Sequence, residues 1–160
     1  MIVQVWKCNT KKVFPNKIGA YFIRKFQGTE YTHYALKRLD NGTFYDASLM
    51  RGVSDRSESD FRKTYDLISS PWIINVLPAE FDEALKPYMG KSYGLRQAIG
   101  IGLKWCFKWA KNPFKNGVDQ VICNELVLRF ASHFKKIDLP YIDNVTLSET
   151  EEILDKYLTR

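Results

Sequence analysis

What this chain lacks narrows it before any motif is read. Its 160 residues hold only two histidines and three cysteines, and Cys8, Cys106 and Cys123 show no CxxC spacing. An odd, widely spaced set of this kind gives neither a disulfide framework nor a zinc site. No apolar run reaches the ~18 residues that cross a bilayer, and the N-terminus shows no signal-peptide core or cleavage site. A cytoplasmic protein with reduced thiols is expected. Internal repeats and low-complexity linkers are missing. So are RNP, zinc-finger and helix-turn-helix patterns, so nucleic acid is not an expected partner. No residue cluster calls for a metal or another cofactor.

What is present suffices for a packed core. The chain is 45% hydrophobic and 14% aromatic, and its length fits one domain over residues 1–160. The net charge of +6 favours anionic partners in general without marking a site.

The first half reads as strands, at residues 2–6, 20–26, 31–39 and 43–50. Asp40-Asn41-Gly42 between the last two is a hairpin signal, because Asn-Gly accepts positive φ at little cost. Residues 52–60 are polar and read as a loop, and 65–68 and 72–77 are further strands. After Pro78 the period changes to that of helices. They are expected over 79–89, closed by Gly90, over 94–111, weakened by Gly100 and Gly102, and over 123–134. In the third, Leu126, Val127, Phe130, Ala131 and Phe134 form one stripe. A last helix starts at Ser148, with Glu151 completing a capping box. The expected fold class is α+β, an antiparallel sheet packed against three or four helices.

The stretch Ile122-Cys123-Asn124-Glu125-Leu126-Val127 places a cysteine in the first turn of a helix. The partial positive charge there lowers a thiol pKa, and free backbone N–H groups can stabilise an oxyanion. A base is then needed. His133 lies ten residues on along the same helix, roughly 15 Å away at ~1.5 Å per residue, and is excluded. His33 remains, in Tyr31-Thr32-His33-Tyr34-Ala35-Leu36; its plain alternative is a solvated strand histidine. Asp46, on the returning strand, is the candidate to orient the imidazole, and its plain alternative is a solvent-facing acid. With a two-residue Asn41-Gly42 turn, Met50 lies opposite His33 and Asp46 lies opposite Lys37, on the His33 face but nearer the turn. A longer loop or a bulge brings Asp46 closer. Ser48 is the substitute if the register slips. Cys8 and Cys106 read as packing residues.

These segments together resemble a known family. A histidine after Thr at a strand start, a Gly-containing turn, a strand with a polar residue about a dozen positions on, and a late Cys-x-Glu at a helix start form its pattern. Met89-Gly90-Lys91-Ser92-Tyr93-Gly94 is similar to a GxxY segment before the cysteine region. The chain resembles the circularly permuted NlpC-like branch of the papain-fold cysteine hydrolases, which includes bacterial and phage amidases or peptidases and relatives of lecithin:retinol acyltransferase. The resemblance implies a papain-like fold with Cys123 as nucleophile, His33 as general base and Asp46 as third member. It implies attack on a carbonyl, an acyl-enzyme, and the Cys123 N–H as one oxyanion donor. A peptide or other amide or ester substrate follows. A lipid-directed acyltransferase or esterase and a papain-fold binding module without activity are the alternatives. A deep apolar groove beside the 94–111 helix would favour lipid, and a polar one peptide.

Lys104, Lys108 and Lys111 follow i, i+4, i+7 with Trp105 and Trp109 alongside. They read either as a solvated basic face beside half-buried aromatics or as a contact for anionic lipid headgroups.

Overall fold

Alternating Val3 and Val5 against Gln4 and Trp6 make the first strand two-faced, and it becomes the second-from-edge strand of the sheet. The computed structural model describes residues 1–11, 21, 23–25, 29–109, 111–114, 119–135, 137, 139 and 142–158. β1 (Ile2–Thr10) pairs with β2 (His33–Arg38) on one side and β5 (Tyr65–Asn75) on the other. β3 (Phe44–Ser48) and β4 (Gly52–Arg56) extend the sheet beyond β2. The order is β4-β3-β2-β1-β5, and every neighbour is antiparallel. The helices are α1 (Glu58–Thr64), α2 (Pro78–Leu85), α3 (Leu95–Phe107), α4 (Cys123–Lys135) and α5 (Leu147–Tyr157). In a short parallel pair, β6 (Ser92–Tyr93) lies between α2 and α3 in the chain and β7 (Gln120–Val121) directly precedes α4. The chain is therefore α+β, as expected.

Residues paired across an antiparallel ladder share a face, which sorts the core into two layers. Val3, Val5, Tyr34, Leu36, Ala47, Val53, Trp72 and Ile74 belong to the larger cluster, with Phe81, Leu126, Val127, Phe130 and Leu154 from the helices. Cys8, Ala35 and Phe44 face the other way and are covered by Phe61 of α1 and by Tyr65. β2 is buried from both sides over its first four residues.

Several local expectations change. Residues 52–60 are not a loop: they form β4 and the start of α1. Their buried positions include Gly52 and Arg56 rather than an apolar alternation, and Phe61 is the one buried anchor of α1. The helix is instead set by its ends, with Ser57 accepting from the Asp60 N–H, acids in the first turn and Arg62 and Lys63 in the last. The two strands expected at 65–68 and 72–77 are one edge strand, its middle obscured by Ser69-Ser70-Pro71 and by register shifts against β1. Of the 20–26 strand, Tyr21 and residues 23–25 are helical, and 20, 22 and 26 lie outside the described residues. The last helix is capped two residues earlier than expected, by Thr146 with Glu149.

Gly52 sits at φ +67, and a Cβ there would run into the carbonyl of Lys91, which accepts from the Val53 N–H at 2.8 Å. Gly52→Ala therefore carries both left-handed strain and a backbone clash. It should lower the unfolding free energy by about 2 kcal/mol or more in urea denaturation. A change under about 0.5 kcal/mol would show that this contact does not hold β6 to β4.

Candidate active site

The amphipathic stripe that packs α4 against β2 and β3 fixes where the helix begins. Of its first nine residues all but Arg129 are buried, from Cys123 to Leu128 and on to Phe130 and Ala131. Asn124 ties this end down by donating to the Val145 carbonyl at 2.7 Å. Leu126 N–H closes the first turn on the Ile122 carbonyl. Cys123 thus stands at the positive end of a thirteen-residue helix.

β2 and β3 pair at Leu36↔Tyr45 and Lys37↔Phe44, whereas β3 and β4 pair along five positions. Beyond Leu36 the backbone N–H groups of Tyr34 and Asn124 lie near the Cys123 sulfur and lower its pKa. The His33 side chain lies close enough to the same sulfur for each to shift the other's pKa. Its Nε2 is 2.8 Å from Asp46 Oδ2, which leaves Nδ1 as the ring nitrogen for the thiol. The imidazole lies flat on Tyr65, with ring centroids 4.2 Å apart and planes 4° from parallel. The ring is therefore fixed by a stacking partner and a carboxylate.

Asp46 reaches His33 because the hairpin is not the expected two-residue turn. The pairs Leu36↔Tyr45 and Lys37↔Phe44 place Ala35, not Lys37, opposite Asp46. Arg38 N–H bonds the Thr43 carbonyl, so the connection is Leu39-Asp40-Asn41-Gly42, with Gly42 at φ +70. The register moves by two residues, which keeps Asp46 on the His33 face and brings it diagonally adjacent. Asp46 is fully buried, not a solvent-facing acid, and Ser48 is not needed as a substitute.

A buried carboxylate needs a counter-charge, and Arg56 supplies it. Its Nη2 donates to both Asp46 oxygens at 2.6 Å, and its Nε to Oδ1 at 3.2 Å. The guanidinium lies over Phe61 and Tyr65, 4.9 and 5.3 Å from the ring centroids. Arg56 was hidden by reading 52–60 as a loop. The usable signal was the polarity itself: a strand running beside a buried Asp has reason to carry an arginine.

These contacts set the electrostatics. Burial alone would drive the Cys123 thiol up, but the His33 charge and hydrogen bond, with the two backbone N–H groups, outweigh it and bring it below the ordinary thiol value. Burial likewise opposes the charged imidazolium. The negative Cys123 sulfur and the Asp46 carboxylate overcome that and hold His33 up at about 9. The two shifts are coupled, since the charged form of each residue favours the charged form of the other. Cys8, opposite His33 on β1, goes the other way: burial, then Asp46 and Cys123, push its thiol up. Burial and the charges on Cys123 and Asp46 also push up the Tyr93 phenol of the GxxY segment.

The remaining candidates fall elsewhere. His133 is exposed at the far end of α4. Cys8 is a packing residue, whereas Cys106 is exposed rather than packed. Lys104 turns inward to donate to the Asn144 carbonyl and stands 3.7 Å from Glu149, so the three lysines do not form one solvated row. Beside it lies an open cleft of about 420 Å³ lined by Lys104, Lys111, Asn144, Glu149, Glu152, Val145 and Ile153, and not by Cys123. Among the described residues no helix is long and apolar enough to cross a membrane, and no His/Cys/Asp/Glu cluster could hold a metal ion. No family model, curated protein or solved structure matches the chain.

Proposed function

We propose that the chain is a cysteine hydrolase of the permuted NlpC-like, papain-fold kind, cleaving an amide or ester through a Cys123 acyl-enzyme. The observation that carries this reading is His33, hydrogen-bonded to Asp46 and near enough to Cys123 to lower its thiol pKa. The thiolate attacks the carbonyl carbon, and the helix-end Cys123 N–H faces the developing oxyanion. The His33 imidazolium gives its proton to the departing amine or alkoxide as the C–N or C–O bond breaks. Water then attacks the thioester, His33 takes its proton, and the thiolate leaves.

The pH dependence follows from the two shifts. Below the lowered thiol pKa, Cys123 is protonated and inert. Above about 9, His33 has lost the proton it must give to the leaving group. Amide cleavage should therefore fall as pH rises through about 9. Alkylation by iodoacetamide, which needs no proton donor, should not fall there.

Burial favours a second reading. Cys123 is 5% exposed and His33 4%, so an inactive binding module of the same fold is the alternative. An activated ester such as p-nitrophenyl acetate separates them. The hydrolase should release a stoichiometric burst of p-nitrophenolate and carry an acetyl group on the Cys123 peptide, absent from Cys123→Ser. No burst, with no iodoacetamide adduct at Cys123, would leave the binding module.

A further inference from the structure

The net charge is not spread over the chain. Residues 91–118 contain six Lys or Arg and no Asp or Glu, which equals the whole net charge of +6 and leaves the other residues balanced. The apolar surface concentrates in the same place. Leu95, Ile99, Phe107, Trp109 and Phe114 are 43–61% exposed, five of the fifteen exposed large apolar side chains among the described residues. Leu95, Ile99 and exposed Cys106 follow i, i+4 and i+11, one stripe at 3.6 residues per turn, and Phe107 borders it. Arg96, Lys108 and Lys111 flank it and are exposed.

This surface is built, not frayed. Lys108, at φ 52, ends α3 in the left-handed conformation, and Trp109 N–H bonds back to the Lys104 carbonyl. The Phe107 and Trp109 rings stack at 5.2 Å. Asn112 folds the following turn onto the helix: its Nδ2 donates to the Gln97 carbonyl, and its side chain occupies the space a Cβ at Gly100 would need. Gly100 is thus the seat of that turn rather than a flaw in the helix.

We infer that α3 together with residues 108, 109 and 111–114 forms a docking face for a bilayer surface rich in anionic lipid. The exposed stripe would enter the headgroup boundary, and Arg96, Lys108 and Lys111 would meet the phosphates. Thirteen residues span ~20 Å, too short to cross a bilayer but suited to lying in its plane. Charge alone would also suit nucleic acid. Aliphatic and aromatic side chains exposed along one helical stripe favour lipid, since nucleic-acid faces are polar and basic. The inference does not depend on the chemistry at Cys123.

Co-sedimentation of the full chain with vesicles tests it. Vesicles of phosphatidylcholine mixed with phosphatidylglycerol should bind, and phosphatidylcholine alone should not, with binding weakened by salt. Lys108→Gln/Lys111→Gln should weaken binding roughly thirtyfold, about fivefold per lysine, and Phe107→Ser/Trp109→Ser should weaken it at least tenfold. Each variant should keep the wild-type melting temperature and Cys123 labelling rate. The single substitutions replace any double variant that does not. Equal binding to both vesicle types, no binding to either, or undiminished binding of the serine variant would overturn the docking face. So would a duplex oligonucleotide bound more tightly than the anionic vesicles.

Discussion

Asp46→Ala unfolds in urea with about 3–5 kcal/mol less stability than the natural chain, the range expected when one partner of a buried ion pair is removed. The cause is Arg56. Arg56 is 5% exposed, and its guanidinium makes three hydrogen bonds to Asp46 and lies over the Phe61 ring of α1. Without the carboxylate it keeps its charge and loses its partner. Arg56→Met strands Asp46 in the same way, though His33 remains as one donor. The double variant Asp46→Leu/Arg56→Met removes both charges and should recover much of the loss. If Asp46→Ala costs under about 1 kcal/mol, the pair is not holding this part of the sheet together.

His33→Gln should lower acyl transfer to Cys123 by roughly 10²–10⁴-fold, the usual worth of a positioned acid–base group. Two contributions act together. The leaving group loses its proton donor, and Cys123 loses the charge that opposes its burial. The second shows without any substrate: iodoacetamide labelling at mildly acidic pH should shift away from Cys123 once His33 is gone. Glutamine keeps a polar side chain beside Asp46, so the melting temperature separates lost activation from lost fold. Near-wild-type labelling of a folded His33→Gln chain would remove His33 from the proposed chemistry.

How legible this was depended on the kind of signal. The α4 stripe from Leu126 to Phe134 is dense and periodic, so both the helix and the position of Cys123 at its start could be read from spacing. The elimination of His133 needed only the helical rise. Asp46 was legible as to face but not as to distance. Side-chain alternation survives a two-residue register change, whereas the length of the Leu39–Gly42 connection is set by hydrogen bonds that an Asn-Gly pair does not announce. Arg56 was signalled only by the polarity of its segment. Its strand is held by Gly52 against the Lys91 carbonyl and by an ion pair, neither of which leaves an apolar alternation. Thr146 lost its role as N-cap to Ser148 in the sequence because two Ser/Thr-x-x-Glu boxes lie two residues apart. The cap that forms is the one whose threonine is buried at 7% exposure and follows Val145, whose carbonyl accepts from Asn124.

The central claim is a thiolate–imidazolium pair between Cys123 and His33, and direct titration of the thiolate tests it. Ultraviolet absorbance of the thiolate, taken as the difference between the natural chain and Cys123→Ala across the pH range, reports Cys123 alone. The predicted midpoint lies below the ordinary thiol value of about 8.5, and His33→Gln moves it up. A midpoint at or above that value in the natural chain, or one that His33→Gln leaves in place, would contradict the pair.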